Sequence, residues 1–512
     1  MTATATILAL VPLAVQTRRT IIRRDRAERH TMGMYNDDGE GVVSMAEIQE
    51  PAGIAERIDR IETGLFVEPP LWSEDGRRAT LAERLAFHNT PGLSVAVINE
   101  GKVEWARGYG VVEAGRDDPV TADTIFQACS ISKHVAMIGA LRLVQDGVLD
   151  LDEDANRYLT SWRAPANGAW QPRVTVRQLL GHTAGLTYCW YRGFRHGDAT
   201  PTLPQVLDGV GPANTPPVRV VLLPGTQFRY SGSHYSVLQQ LMVDATGTPF
   251  PMLMRALVLD PLGMRNSSYD QSYPDTRPAT TAVGHYLGGA PVDGQWRVIP
   301  EMAGAGLWTT PGDLARLACA IQHAHTKAAT GFLTPDLVDQ ALTPQIDASF
   351  GLSTQLEGPD TARRFGHGGD NIGYKCFTTA YLEHGLGAVV MTNADDGAWV
   401  ALEVLRRIAD EYGWPDYTPA RAATSVDARA YDGYAGTYAL RPGVTIGIER
   451  KGDTLLLTLQ GQPAIELRPS SDTTFLSPAV NSAITFTIGE DGRATGLSLQ
   501  QEDHEIQAQR LR

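Results

Sequence analysis

Lysine is rare in this chain, which contains 39 arginines but only five lysines among its 512 residues. Cysteine is scarce as well, and the absence of a C-x-x-C pair argues against a zinc site or a disulfide framework. The sequence instead predicts separate buried thiols at Cys129, Cys189, Cys319 and Cys376. No run of about 18 apolar residues occurs, so no helix is predicted to span a bilayer. The formal net charge of −14 excludes the basic surface that general nucleic-acid binding requires.

The amino-terminal segment lacks the order of a regular export signal. Residues 3–15 are mostly apolar and a basic run from Arg18 to Arg29 follows, whereas a secretory signal places its positive charge first. We therefore predict that residues 1–50 are a flexible extension or lie upstream of the true start, for which Met32, Met34 and Met45 are alternatives. The compartment stays open, and the cytoplasm is slightly favoured over the periplasm.

The region from about Pro91 onward has the pattern of a folded α+β domain. Residues 93–98 and 102–108 predict two strands, residues 374–381 and 388–391 predict two more, and residues 398–412 predict a closing helix. Helical stretches and Pro- and Gly-rich loops occupy residues 150–373 between them. Strands at both ends of a helical lobe are typical of segments that share one sheet, and we assign this domain to residues 51–415.

The pattern changes after a linker at residues 414–430. Short apolar runs there are separated by turn residues such as Lys451-Gly-Asp453 and Glu490-Asp-Gly492. Four or more short strands of this kind predict a separate small β-barrel or sandwich, which we assign to residues 431–512.

Ser130 and Lys133 form an S-x-x-K motif at the start of a predicted buried helix. Residues three apart lie on one helix face, so the hydroxyl and the amine can meet. A serine hydroxyl becomes a good nucleophile when a neighbouring base takes its proton, and a buried lysine can do so where an arginine cannot. The sequence uses one of its few lysines here; the full set is Lys102, Lys133, Lys327, Lys375 and Lys451.

Four further segments follow in a fixed order. They are Val174–Leu186 with its H-T-A-G-L ending, Tyr230-Ser-Gly232, Gly304–Thr310 and His367-Gly-Gly369. Together with S-x-x-K they resemble the family of serine β-lactamases, penicillin-binding DD-peptidases and related esterases, which carries S-x-x-K, Y-x-N and K-T-G or H-x-G in this order. The resemblance implies an antiparallel sheet flanked by helices with a helical lobe, and neither a metal nor an organic cofactor.

The resemblance also implies the roles of the site residues. Ser130 would be the nucleophile and Lys133 its base, with Tyr230 as a second acid–base group that needs cationic neighbours to act as phenolate or proton relay. His367 would stand in the place of the third-motif lysine, orienting the substrate and tuning Tyr230. The histidine of the H-T-A-G-L segment, His182, is predicted to have a structural role.

The segment that begins at His367 would bind the substrate along its backbone. The N–H groups of Ser130 and Asp370 would form the oxyanion hole, and Gly368 and Gly369 would let the substrate approach the strand edge closely. Gly232 is a departure, because the family has an asparagine two residues after the tyrosine. Its absence puts β-lactam recognition in doubt and leaves acylation possible.

These features predict a serine hydrolase that forms an acyl-enzyme on Ser130 and takes a small-molecule or peptide substrate. The preferred function is a peptidase or amidase for small or D-residue-containing peptides, including the narrower case of linearised cyclic peptides such as opened microcystin. A carboxylesterase, a β-lactamase and a non-catalytic penicilloyl-type sensor or scaffold are the alternatives. The sequence leaves the oligomeric state open.

Overall fold

The computed structural model describes residues 52–66, 78–277, 280–327, 332–417 and 431–511, the last range without the short segments 442, 453, 460–463, 470–472, 478–481, 490–491 and 502–503. The predicted amino-terminal extension, residues 1–50, and most of the predicted linker lie outside the described residues. Among the helices that are described, none has the length and apolar character needed to cross a membrane. All four cysteines are buried free thiols.

The helices are, in chain order, α1 (Ala52–Thr63), α2 (Leu81–Phe87), α3 (Ile131–Gln145), α4 (Val176–Leu180), α5 (Leu203–Asp208), α6 (Gly232–Thr246), α7 (Phe250–Met254), α8 (Met302–Ala305), α9 (Pro311–His325), α10 (Pro335–Leu342), α11 (Gly397–Glu411) and α12 (Tyr431–Tyr434). The strands before residue 400 are β1 (Leu65–Phe66), β2 (Arg78–Ala79), β3 (Gly92–Asn99), β4 (Lys102–Gly110), β5 (Phe126–Gln127), β6 (Phe194–Arg195), β7 (Arg297–Val298), β8 (Trp308–Thr309), β9 (Gln355–Glu357), β10 (Arg364–Asn371), β11 (Tyr374–Tyr381) and β12 (Gly387–Thr392).

A six-stranded antiparallel sheet forms the centre of the first domain, in the order β4-β3-β12-β11-β10-β9. Strands β3 and β4 precede the helical lobe and β12 follows it, yet they are neighbours, with Val95 opposite Val390. The prediction that strands from both ends of the domain share one sheet is therefore confirmed, as is the α+β fold class.

Both faces of this sheet are covered, as the composition of β3 shows. Alternate side chains of a strand point to opposite faces. Ala96 and Ile98 belong to the large hydrophobic cluster that contains α3, whereas Val95 and Val97 belong to a second cluster that contains α1 and α11. The strand consequently reads as a continuous apolar run rather than as an alternating one.

Helix α3 is the central core helix of the domain. Twelve of its 15 residues are buried, which explains why its sequence is apolar around the whole circumference. It packs against α8 and β10. Helix α8 also contacts α6. One short helix therefore packs against both α3, which follows Ser130 directly, and α6, which begins two residues after Tyr230.

The carboxy-terminal region is a closed eight-stranded barrel in which each strand pairs with the next and the last pairs with the first. Its strands are β13 (Gly436–Arg441), β14 (Val444–Lys451), β15 (Thr454–Leu459), β16 (Ile465–Pro469), β17 (Thr474–Ser477), β18 (Ser482–Ile488), β19 (Ala494–Gln501) and β20 (His504–Arg510). The barrel has a hydrophobic cluster of its own, built around Tyr438, Phe475 and Phe486. Of the two all-β architectures that the sequence predicted, the structure has the barrel.

Candidate active site

Ser130 lies at a sharp turn between β5 and α3. The residue before it, Cys129, has a φ of +53°, a left-handed conformation that is unfavourable for a residue with a Cβ. Cys129 is held there by burial and by its thiol, which donates to the Gln127 carbonyl at 3.4 Å. The Ser130 side chain makes no helix-capping hydrogen bond, so its hydroxyl is available to other groups.

The amine of Lys133 reaches this hydroxyl. Its Nζ donates to Ser130 Oγ at 2.9 Å and to the Gly304 carbonyl at 2.7 Å. The amine is buried, and burial lowers the pKa of Lys133 to about 7. The rings of Tyr230, Tyr191 and Tyr235 surround it at 5.1, 5.6 and 6.0 Å. A substantial fraction of the amine is therefore unprotonated at neutral pH.

Tyr230 lies two residues before the first residue of α6. The next residue, Ser231, caps that helix by accepting the Ser233 N–H at 3.3 Å. Burial raises the pKa of Tyr230, and a hydrogen bond with Ser130 opposes the rise without cancelling it. The sequence-based account required cationic neighbours that would favour the phenolate. In the structure the phenol keeps its proton, which leaves the proton-relay form of that prediction.

His367 points from β10 towards the same group of rings. Its ring centroid is 6.0 Å from that of Tyr230, and its Nδ1–H donates to the Gly368 carbonyl at 2.5 Å. Burial, with a smaller contribution from Lys133, lowers the pKa of His367 to about 3. The imidazole is therefore neutral, and Nε2 has no hydrogen-bond partner among the described residues. A neutral ring cannot supply the positive charge of the lysine whose place it takes.

Strand β10 passes directly against the turn that carries Ser130. A Cβ on Gly369 would lie 2.7 Å from the Ala128 carbonyl oxygen and 2.9 Å from Cys129 Cβ, so the close approach of the two backbones requires glycine here. At Gly368 a Cβ would meet only the Gln355 side chain, at 3.9 Å.

The backbone N–H groups of Ser130 and Asp370 are predicted to form the oxyanion hole, a role that stays a prediction. The Gly368 N–H points to the edge of β10 away from β11, where it donates to Gln355 Oε1 at 2.9 Å. Backbone groups two residues apart in a strand point the same way, so the Asp370 N–H faces this edge too. The Ser130 N–H donates to no acceptor in the described part of the chain.

A narrow cleft lies beside Ser130, Lys133 and Tyr230. Its lining residues are Ser130, Lys133, Cys189, Trp190, Tyr191, Tyr230, Gly232, Ala305, Asp370 and Asn371. The predicted residues His367, Gly368 and Gly369 are not among them, and the roles of all the predicted site residues stay predictions. A wider cleft beside Asp360 and His384 is lined by none of these groups and offers no nucleophile paired with a base.

Sequence reasoning missed three residues that the structure places at or beside this cleft. Asn371 ties β10 to the site by donating to Gln127 Oε1 at 2.7 Å and to the Ala305 carbonyl at 3.1 Å. Glu301, just before α8, is a buried acid whose pKa is raised to about 7 by burial. Tyr191 is the third. Asn371 lies two residues after His367-Gly-Gly369 and could have been singled out, whereas nothing in the sequence near Tyr191 marks it.

Comparison with known proteins places this site in a family. A family model described as Beta-lactamase matches residues 77–412. The chain belongs to the β-lactamase family. Residues 420–512 match a second model, a domain of unknown function (DUF3471), and this range contains the barrel.

Similar proteins within the β-lactamase family carry different names. Penicillin-binding protein 4* of Bacillus subtilis (strain 168) is 24% identical over 462 residues, which cover 85% of this chain and 97% of that protein. Esterase EstB of Burkholderia gladioli is 28% identical, covering 58% of this chain and 81% of the esterase.

A solved structure shows the same fold. D-amino acid amidase from Ochrobactrum anthropi SV3, complexed with D-phenylalanine, has a TM-score of 0.53 and 20% identity, covering 65% of this chain and 97% of the amidase. Family membership leaves the scissile bond open, because these proteins are named for different activities.

Proposed function

We propose that this protein is a serine hydrolase that cleaves amide bonds in small peptides, including those with D-residues, through an acyl-enzyme on Ser130. The observation that carries the proposal is the contact of 2.9 Å between Ser130 Oγ and the Lys133 amine, whose pKa is lowered to about 7 by burial. A neutral amine at this distance can accept the hydroxyl proton, which is the condition for nucleophilic attack by serine.

The proposed acylation begins with that proton transfer. Ser130 Oγ then attacks the substrate carbonyl carbon, and the N–H groups of Ser130 and Asp370 donate to the oxyanion. The Tyr230 phenol gives its proton to the leaving nitrogen as the carbon–nitrogen bond breaks, and the Lys133 ammonium returns a proton to Tyr230. Water then attacks the ester carbon of the acyl-enzyme with proton transfer through the same groups, which releases the acid and restores Ser130.

The protonation state of Tyr230 favours an amide as the scissile bond. An amine is a poor leaving group until it is protonated, and a phenol that burial keeps protonated is a suitable donor. The names of two similar proteins, a penicillin-binding protein and a D-amino acid amidase, agree with an amide or peptide substrate. A carboxylesterase is the second candidate, because EstB is also similar to this chain.

The test is a comparison of kcat/KM for four substrates: the p-nitroanilides of D- and L-phenylalanine, p-nitrophenyl butyrate and nitrocefin. We expect measurable anilide hydrolysis, weak nitrocefin turnover, and a loss of at least about a thousandfold for every substrate in Ser130→Ala. The matched control is Ser132→Ala, two residues further along α3, whose hydroxyl accepts the Leu307 N–H at 3.0 Å.

Each other outcome assigns a different function. Ester hydrolysis without any anilide hydrolysis would replace the amidase by the carboxylesterase. Nitrocefin as the best substrate by about tenfold would make the protein a β-lactamase. Turnover that survives in Ser130→Ala would overturn the acyl-enzyme on this serine.

A further inference from the structure

The ring of Tyr191 is inserted between two glycines of the site. A Cβ on Gly232 would lie 2.5 Å from Tyr191 Cζ, and a Cβ on Gly304 would lie 2.2 Å from Tyr191 Cε2. Real Cβ atoms do not approach carbon this closely, so neither position can carry a side chain while Tyr191 keeps this place. Gly304 is also the residue whose carbonyl accepts the Lys133 amine.

The position of Tyr191 is fixed by the segment that carries Gly232. The Gly232 N–H donates to the Cys189 carbonyl at 2.9 Å, and the Cys189 N–H donates to Ser231 Oγ at 3.0 Å. The Tyr191 hydroxyl donates to the Gly232 carbonyl and lies 3.0 Å from Ser236 Oγ. The phenol is thus committed to the protein, and the surface that Tyr191 offers to the cleft is its ring.

We propose that Tyr191 is a specificity-determining residue that occupies the space of a side chain at position 232 and selects substrates without an amide beside the acyl carbonyl. This inference rests on the proposed function, since it concerns the acyl group that Ser130 would receive. Tyr191 and Gly232 both line the cleft. The amide of an N-acylated substrate would meet ring carbon there, where an amide side chain could have paired with it. Acyl groups with a plain alkyl chain or a single amino acid with a free amine have no such amide to leave unpaired.

The size of the effect follows from the cost of an unpaired polar group. Leaving a substrate amide without a partner lowers kcat/KM by roughly 5- to 150-fold. A matched pair of activated esters isolates this term: p-nitrophenyl pentanoate and p-nitrophenyl N-acetylglycinate have acyl chains of equal length and differ in the internal amide. Both esters release p-nitrophenol, so a difference between them reports on the acyl subsite. This holds whether the natural substrate is an amide or an ester.

The experiment compares the ratio of kcat/KM for the two esters among variants. Wild type should favour the pentanoate. Gly232→Asn should lose about tenfold or more on both esters, because the new side chain collides with Tyr191. The double variant Tyr191→Ala/Gly232→Asn should recover pentanoate hydrolysis and shift the ratio about fivefold or more towards the N-acetylglycinate. Tyr191→Phe keeps the ring and should keep the wild-type ratio.

Several results would overturn the inference. A Gly232→Asn variant with wild-type rates would show that Tyr191 does not exclude a side chain, and an unchanged ratio in the double variant would show that it does not select the acyl group. If Gly232→Asn does not fold, the single variant Tyr191→Ala tests the proposal. Removal of the Tyr191 ring should shift the ratio of kcat/KM towards the N-acetylglycinate, and an unchanged ratio would contradict the proposal. A wild type that hydrolyses the p-nitroanilides but neither ester would contradict this inference alone, whereas failure on the anilides and the esters alike would overturn the proposed function and the inference with it.

Discussion

At the scale of single residues, the site contains ionisable groups whose neutral forms are favoured by burial. Burial lowers the pKa of Lys133 to about 7 and that of His367 to about 3, and it raises the pKa of Tyr230. Loss of hydration on burial is the largest cause of all three pKa shifts. It raises the pKa of a group whose deprotonated form is charged and lowers the pKa of a group whose protonated form is charged. The uncharged amine can accept a proton and the protonated phenol can donate one, and these are the two transfers that the proposed acylation requires.

The pKa of Lys133 predicts a pH dependence. Only the unprotonated amine can accept the Ser130 proton, so kcat/KM should rise with pH through about 7 and fall about tenfold per pH unit well below it. Lys133→Arg should lose at least about a hundredfold and show no limb near pH 7, because a guanidinium keeps its proton. The measurement is a pH–rate profile on p-nitrophenyl butyrate.

Lys102→Arg provides the control for this profile. Lys102 is an exposed residue at the start of β4, and its replacement should leave the profile as in wild type. A Lys133→Arg enzyme that keeps more than about a tenth of wild-type activity would show that Lys133 is not the base.

At the scale of elements, the local relationships of the site could be predicted from the sequence and the tertiary ones could not. Ser130 and Lys133 are three residues apart, and helical geometry alone brings their side chains together. The charge state of His367 depends on burial by neighbours that are distant in the chain, so the sequence alone does not give it.

The contacts of Tyr191 and Gly369 are likewise tertiary and could not be predicted from the sequence. Tyr191 is 41 residues before Gly232 in the sequence, and no periodicity connects a loop tyrosine to the glycine that it packs against. Gly369 is predicted to let the substrate approach closely, a role that stays a prediction, and its missing side chain also leaves room for the turn before Ser130. A glycine in the sequence can indicate that another backbone approaches closely, but the sequence does not identify which segment approaches it.

At the scale of the whole molecule, the described hydrophobic side chains form separate clusters. The sheet domain is built around two hydrophobic clusters, and the barrel has a third whose described members all lie between Tyr431 and Ala508. The alternation of short strands and turns was enough to predict an all-β region. Closure into a barrel rests on the pairing of β13 with β20, a non-local contact that strand patterns do not contain.

The proposed division into domains at residues 51–415 and 431–512 predicts the result of a truncation. A chain that ends at residue 417 should remain folded with the site intact, because the cluster around α3 and the cluster around α11 contain no described residue of the barrel. Thermal unfolding and kcat/KM on p-nitrophenyl butyrate are the measurements. Aggregation or loss of a cooperative transition in the truncated chain would show that the barrel is needed for the first domain to fold.

The central claim is that Ser130 is the nucleophile, and covalent labelling tests it most directly. The wild-type protein should react with a fluorophosphonate probe to give a single adduct, which peptide mass spectrometry should locate at Ser130. The adduct should be absent from Ser130→Ala and form much more slowly in Lys133→Arg. An adduct on another serine of the cleft region, such as Ser231 or Ser233, or equal labelling of Ser130→Ala and wild type, would contradict the account.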